Sequence, residues 1–125
     1  RPPRSTHCIS SAASDVYKRQ GEMEAIANIT RAGLAALSAG NLDGLGMAMD
    51  ACHESLRKLK VSSSKLDQMV NAARPHSLGA KLTGAGGGGC MVALTHDPTR
   101  VSEAIEVAGG RPLMTRLGAQ GVRFV

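Results

Sequence analysis

Aromatic side chains are nearly missing: the 125 residues include one tyrosine, one phenylalanine and no tryptophan. Basic side chains interleaved with aromatic ones, a common footprint of nucleic-acid binding, are therefore absent, and no nucleic-acid partner is expected. No apolar run approaches the ~20 residues needed to span a membrane, and no charged-then-apolar leader is present. A cytoplasmic setting without a membrane partner is the resulting expectation. The three cysteines, Cys8, Cys52 and Cys90, follow neither a disulfide framework nor a zinc-ligand spacing. There is no internal repeat and no long linker, and the length suits one small domain.

The positive charge is unevenly placed. Arg1, Arg4, Lys18 and Arg19 stand against Asp15 in the first twenty residues, which leaves 11 basic and 9 acidic side chains of the total 15 and 10 for the rest. That leading stretch has no apolar period, carries Pro2-Pro3 and differs in composition from the remainder of the chain. Ser10–Gln20, SSAASDVYKRQ, resembles a translated sequencing adapter, and Arg1–Thr6 reads as the primer upstream of it. Residues 1–20 are therefore expected to be non-native and disordered, with the domain proper occupying residues 21–125.

From Gly21 the pattern becomes regular. Met23, Ile26, Ala27, Thr30, Leu34 and Leu37 recur at helical spacing, with Gly40 placed to stop that helix. Leu42, Leu45, Met49, Cys52, Leu56 and Leu59 mark a second helix that Asn41 can cap, with Asp43 suiting its dipole. Gly44 and Gly46 weaken it by ~1 kcal/mol each relative to alanine and suggest close packing. Ser64 with Asp67 offers a capping-box-like start to a third helix carrying Leu66, Met69, Val70 and Ala73, and Pro75 ends it. Ala80–Thr83 and Cys90–Thr95 read as strands around a run of glycines. Asp97-Pro98 opens a further helix, with Val101, Ala104, Ile105 and Ala108 on its buried stripe and Gly109-Gly110 at its end. Leu113–Leu117 and Val122–Val125 read as strands. The order predicts an α+β fold, with helices covering one face of a small antiparallel sheet.

The informative segment is Gly79–Cys90, GAKLTGAGGGGC. Glycines free the backbone for positive φ and let a ligand approach without Cβ obstruction. Successive amides in such a loop can converge on an anion. A hairpin turn needs only two to five residues, so a plain turn explains this length poorly. The phosphate-binding P-loop is excluded because no Gly-Lys-Ser/Thr is present, and the dinucleotide fingerprint because a strand, not a helix, comes next.

Lys81-Leu82-Thr83-Gly84-Ala85-Gly86-Gly87-Gly88-Gly89-Cys90 resembles, without a gap, the third conserved motif of the GHMP kinases in the form typical of mevalonate kinases. Galactokinases and phosphomevalonate kinases usually differ within this string. The resemblance extends over most of Gly21–Val125: Asn41–Leu56 looks like the family's second helix, Gly109-Gly110-Arg111-Pro112 like the turn before the last strand, and Gly121-Val122-Arg123 like the usual ending.

The resemblance implies a ferredoxin-like C-terminal domain of a GHMP kinase whose catalytic lobe is missing from this chain. It implies ATP and Mg²⁺ as cofactors, bound mainly by that other lobe. It also implies mevalonate as the small-molecule substrate on the route to isoprenoids, and a possible homodimer of the full-length enzyme. Thr83, Gly84, Ala85, Gly86, Gly87, Gly88 and Gly89 would line the cleft near phosphate and substrate, with Ala85 near the mevalonate. No catalytic residue and no metal ligand is assigned within the chain, which alone is expected to be inactive. Another GHMP small-molecule kinase, or a non-catalytic ligand-binding domain of the same fold, are the alternatives. Ser10-Ser11-Ala12-Ala13 imitates the family's phosphate loop but lacks its flanking glycines and is assigned no function.

The remaining candidates have plainer readings. Lys81 falls on the solvated face by alternation, and His53, where the family pattern has histidine, reads as a packed or capping side chain. Cys52 stands where the family commonly has asparagine and reads as core. Cys90 reads as a small buried packing residue, and Met47, Met49 and Met69 as helix packing.

Overall fold

The computed structural model describes residues 4–84, 89–118 and 121, with side chains from residue 16 onward. The elements run α1 (Arg4–Ser38), α2 (Leu42–Lys58), α3 (Ser64–Ala73), a 3-10 turn (Arg74–His76), β1 (Gly79–Thr83), β2 (Cys90–Leu94) and α4 (Pro98–Val107). This is the α+β arrangement expected. The two strands pair antiparallel, with Ala80 opposite Ala93, Leu82 opposite Met91 and Thr83 opposite Cys90.

Alternation along the strands decides which face is covered. Ala80 and Leu82 are buried together with Leu66, Met69, Val70 and Ala73 of α3 and Val101 and Ile105 of α4, while Met91 and Ala93 pack against that cluster. The core therefore lies between one face of the hairpin and the helices α3 and α4. Lys81 and Val92 face the other way, and Val92 is 45% exposed. Lys81 is half-buried on that face, its Nζ donating to the Leu82 carbonyl at 2.7 Å.

Helix α2 lies against β1. Gly46 and Gly79 meet backbone to backbone, and a Cβ on either would collide with main-chain atoms of Leu78 or Gly46. Close packing at Gly46 is thus realised. Gly44 sits against Ala36 of α1, and Gly33 of α1 against Ala48 and Leu45.

Several expectations are corrected. The face of α1 turned to α2 runs through Gly33 and Ala36, while Met23, Leu34 and Leu37 are exposed, because small residues allow the helices to approach. The helix itself spans Arg4–Ser38 rather than beginning at Gly21. Ser63, not Ser64, caps α3 by accepting from the Leu66 amide, since Asp67 is engaged elsewhere. Cys90 is exposed because it follows Thr83 onto the open face of the hairpin. Met47 is 71% exposed, whereas Met69 is buried. Leu113–Leu117 forms no strand and its Leu113, Met114 and Leu117 side chains stand in solvent. Val122–Val125 lies outside the described residues.

Candidate functional site

Strand β1 delivers Thr83 to its exposed end and Gly84 immediately beyond. Gly84 has φ +77°, a left-handed backbone that an L side chain resists, and the space where its Cβ would stand is open. Gly89 is likewise exposed, just before Cys90 begins β2. Of the seven loop residues expected to face phosphate and substrate, Thr83, Gly84 and Gly89 are thus gathered at one end of the hairpin. Ala85, Gly86, Gly87 and Gly88 lie outside the described residues. An exposed hydroxyl beside backbone amides and an open glycine surface suits an anionic ligand. Among the described residues no group of three His, Cys, Asp or Glu side chains could hold a metal ion.

Behind this end of β1 stands a polar network that sequence reasoning only half anticipates. An outer edge of a strand leaves alternate amides unpaired, and here α2 pairs them with side chains. Asp50 Oδ1 accepts from the Ala80 amide at 2.9 Å, and His53 Nδ1 accepts from the Leu82 amide at 3.0 Å. Residues three apart on a helix meet amides two apart on a strand, and both lie on the same side of α2. His53 is 1% exposed. Its other nitrogen, Nε2, lies 3.0 Å from Asp67 Oδ1. Because Nδ1 must accept, the proton sits on Nε2 and donates to Asp67, which fixes the neutral tautomer. His53 is therefore a packed, hydrogen-bonded histidine, as its place beside the apolar stripe suggests.

Asp67 is itself held by the Ser62 hydroxyl at 2.8 Å and by Arg57 Nε at 3.4 Å. Burial raises the Asp67 carboxyl, but the Ser62 and His53 hydrogen bonds and the Arg57 charge outweigh it and leave the group below its ordinary 3.8. Ser62 donates to the carboxylate and not to the imidazole, so these three side chains do not form an activated-serine arrangement. One turn along, Arg74 bridges Asp50 Oδ1 at 3.2 Å and Glu54 Oε1 at 3.0 Å. The Arg74 hydrogen bond, helped by the Arg57 charge, holds the Glu54 carboxyl below its ordinary 4.5 against the effect of burial. Sequence reasoning misses Asp50, Ser62 and Arg74. The one available signal is the Asp50/His53 spacing, which has no meaning until the strand partner is known.

A concavity of about 520 Å³ between α3 and α4 is lined by Ala72, His76, Arg100, Glu103, Ala104 and Val107. It contains none of the loop residues, and its shape is shallow, so the hairpin end remains the better candidate site.

The family described as GHMP kinases C terminal matches residues 34–110. Mevalonate kinase of Pyrococcus abyssi is 51% identical over 82 residues, 64% of this chain and 24% of the relative. Mevalonate kinase of Pyrococcus furiosus is 48% identical over 82 residues, covering 64% of this chain and 25% of the relative. A galactokinase of Exiguobacterium sibiricum is 41% identical over 88 residues, 68% of this chain and 22% of the relative. The crystal structure of L. major mevalonate kinase in complex with R-mevalonate superimposes with a TM-score of 0.64 at 32% identity, covering 82% of this chain and 31% of that one. The chain spans about a quarter of the length of the curated relatives it matches.

Proposed function

The chain belongs to the GHMP kinases through their C-terminal domain, and we propose that it serves as the C-terminal part of a mevalonate kinase. The parent enzyme would transfer the γ-phosphoryl of ATP to the 5-hydroxyl of mevalonate, on the route to isoprenoids. The observation that carries this reading is the uninterrupted string Lys81–Cys90 at the hairpin end, in a chain about half identical to mevalonate kinases over its matched length.

Phosphoryl transfer depends mainly on positioning and on stabilising charge, so the protein has to present fixed donors to the reacting oxygens. The hairpin end is suited to this. Thr83 offers an exposed hydroxyl, and Gly84 and Gly89 offer backbone that a ligand can approach closely. The loop Thr83–Gly89, including Ala85 and Gly86 to Gly88, is proposed to line the cleft beside phosphate and substrate. Mg²⁺, when bound with ATP, neutralises charge on the phosphates. Its ligands, the main phosphate loop and the catalytic aspartate and lysine are assigned to a preceding lobe. Residues 21–125 are proposed as the domain and residues 1–20 as an appended, non-native segment. A cytoplasmic location and a homodimeric parent belong to the same reading.

A second reading, kinase action on a sugar, is favoured by the galactokinase match, and phosphomevalonate is the other family substrate to test. Fusing the catalytic lobe of the Pyrococcus abyssi enzyme to Gly21–Val125 and assaying mevalonate, phosphomevalonate and galactose with ATP separates the two. Phosphorylation of mevalonate above the others is expected. Turnover of galactose or phosphomevalonate alone would transfer the assignment to that substrate, and a folded, inactive hybrid would count against a kinase role.

A further inference from the structure

We infer that His53 is a positioning residue for the end of β1 that carries Thr83 and Gly84, acting through the Leu82 amide; this rests on the kinase reading only for its catalytic consequence. The Leu82 amide would otherwise be an unpaired donor at a buried strand edge, since Leu82 is 1% exposed. His53 Nδ1 supplies its acceptor at 3.0 Å, one residue before Thr83. An imidazole can turn, and its orientation here is set from behind. Asp67 takes the Nε2 proton, Ser62 and Arg57 hold Asp67, and α3 holds Asp67 against the core beside Leu66 and Val70.

The chain of contacts therefore runs from the rigid α2–α3 core to the strand end. Asp50 repeats the arrangement two residues earlier at Ala80 and is clamped by Arg74. Two side chains of α2 thereby fix the height of β1, and the His53 contact is the one nearer the candidate site. A packing-only histidine would need no acceptor aimed at this amide.

Side-chain geometry provides a test that distinguishes positioning from bulk. His53→Asn can place an amide oxygen where Nδ1 accepts from Leu82. His53→Gln can reach Asp67 with its terminal amide but leaves the Leu82 N–H without a partner. Amide hydrogen exchange would be measured on the full 125-residue chain and both variants, with Val70 as the internal reference for global opening. Losing one such hydrogen bond should raise Leu82 exchange about ten-fold in His53→Gln, with shifted Thr83 and Gly84 resonances and unchanged Val70 protection. His53→Asn should stay near the wild type at Leu82. Should His53→Gln fail to fold, His53→Asn decides alone: retained Leu82 protection supports the inference. Leu82 exchange unchanged in a folded His53→Gln, or raised in His53→Asn while Val70 stays protected, overturns it.

In the active hybrid enzyme, His53→Gln should lower kcat with KM for mevalonate little changed, and His53→Asn should restore kcat. A hybrid that is inactive with His53 intact would sink the kinase reading, while the exchange data would still decide the role of His53.

Discussion

Gly46 and Gly79 press main chain against main chain, so neither flexible side chains nor rotamer changes can absorb an added methyl group. Gly46→Ala should destabilise the fold by about 3 kcal/mol, the upper range for overpacking, visible as a lower thermal midpoint. Gly21→Ala, with nothing within 4 Å of the added Cβ, is the control and should be neutral or mildly stabilising. The carboxylates Asp67 and Glu54 carry a different consequence. Both are held below their ordinary values of 3.8 and 4.5 in the folded chain. Their contribution is complete above those unfolded values and is lost as pH falls through the lower, folded ones. Stability should therefore decline on acidification below the ordinary carboxylate range, and Asp67→Asn should flatten that part of the pH profile. A profile equally steep in the variant, followed by circular dichroism, would remove Asp67 from the account. His53 is legible in the sequence as a packed histidine, but Asp50 and Arg74 are not, because their partners lie 20 to 30 residues away, nor is Ser62, whose bond to Asp67 five residues on depends on a rotamer.

At the scale of elements, helix termini are the most readable feature. Asn41 and Asp97 cap α2 and α4 as their side-chain chemistry dictates. Three helices end with the same pair of hydrogen bonds: Asn41 to Ala36 and Gly40 to Leu37 after α1, Val61 to Leu56 and Lys60 to Arg57 after α2, Gly110 to Ile105 and Gly109 to Glu106 after α4. Such an ending needs a left-handed residue. Gly40 and Gly109 supply it freely, but after α2 the position belongs to Lys60, with φ +61°. Lys60→Gly should relieve about 1 kcal/mol of that strain, and a thermal midpoint that fails to rise would refute the argument. Less readable are the packing faces. Periodicity offers Met23, Leu34 and Leu37 as the inner face of α1, yet helix approach is governed there by Gly33 and Ala36, whose small size carries little hydrophobic signal. The outward turn of Cys90 escapes sequence reasoning because the glycine run hides the strand register.

Across the described residues, the core consists of Leu66, Met69, Val70, Ala73, Ala80, Leu82, Val101 and Ile105, with none from α1. Residues 16–20 are exposed along that helix. Removing residues 1–20 should therefore leave the melting temperature unchanged, consistent with the proposed domain boundary, and a large drop would contradict it. The α+β class and the glycine hairpin are legible because periodicity and turn chemistry are local. The absence of a strand at Leu113–Leu117 is not, since an apolar run does not reveal whether a neighbouring strand is there to receive it. Under the proposed function, the chain alone should not phosphorylate mevalonate, a result that a coupled ATPase assay would check directly.

The pairing of Asp50 and His53 with the Ala80 and Leu82 amides gives the sheet a direction of growth. One margin is sealed by a helix that imitates a neighbouring strand at two points, so no further strand can enter there without displacing α2. Any added strand, from this polypeptide or from another copy, has to join beyond β2. Among the described residues β2 has no strand partner besides β1, so its outer margin is where a further strand would pair.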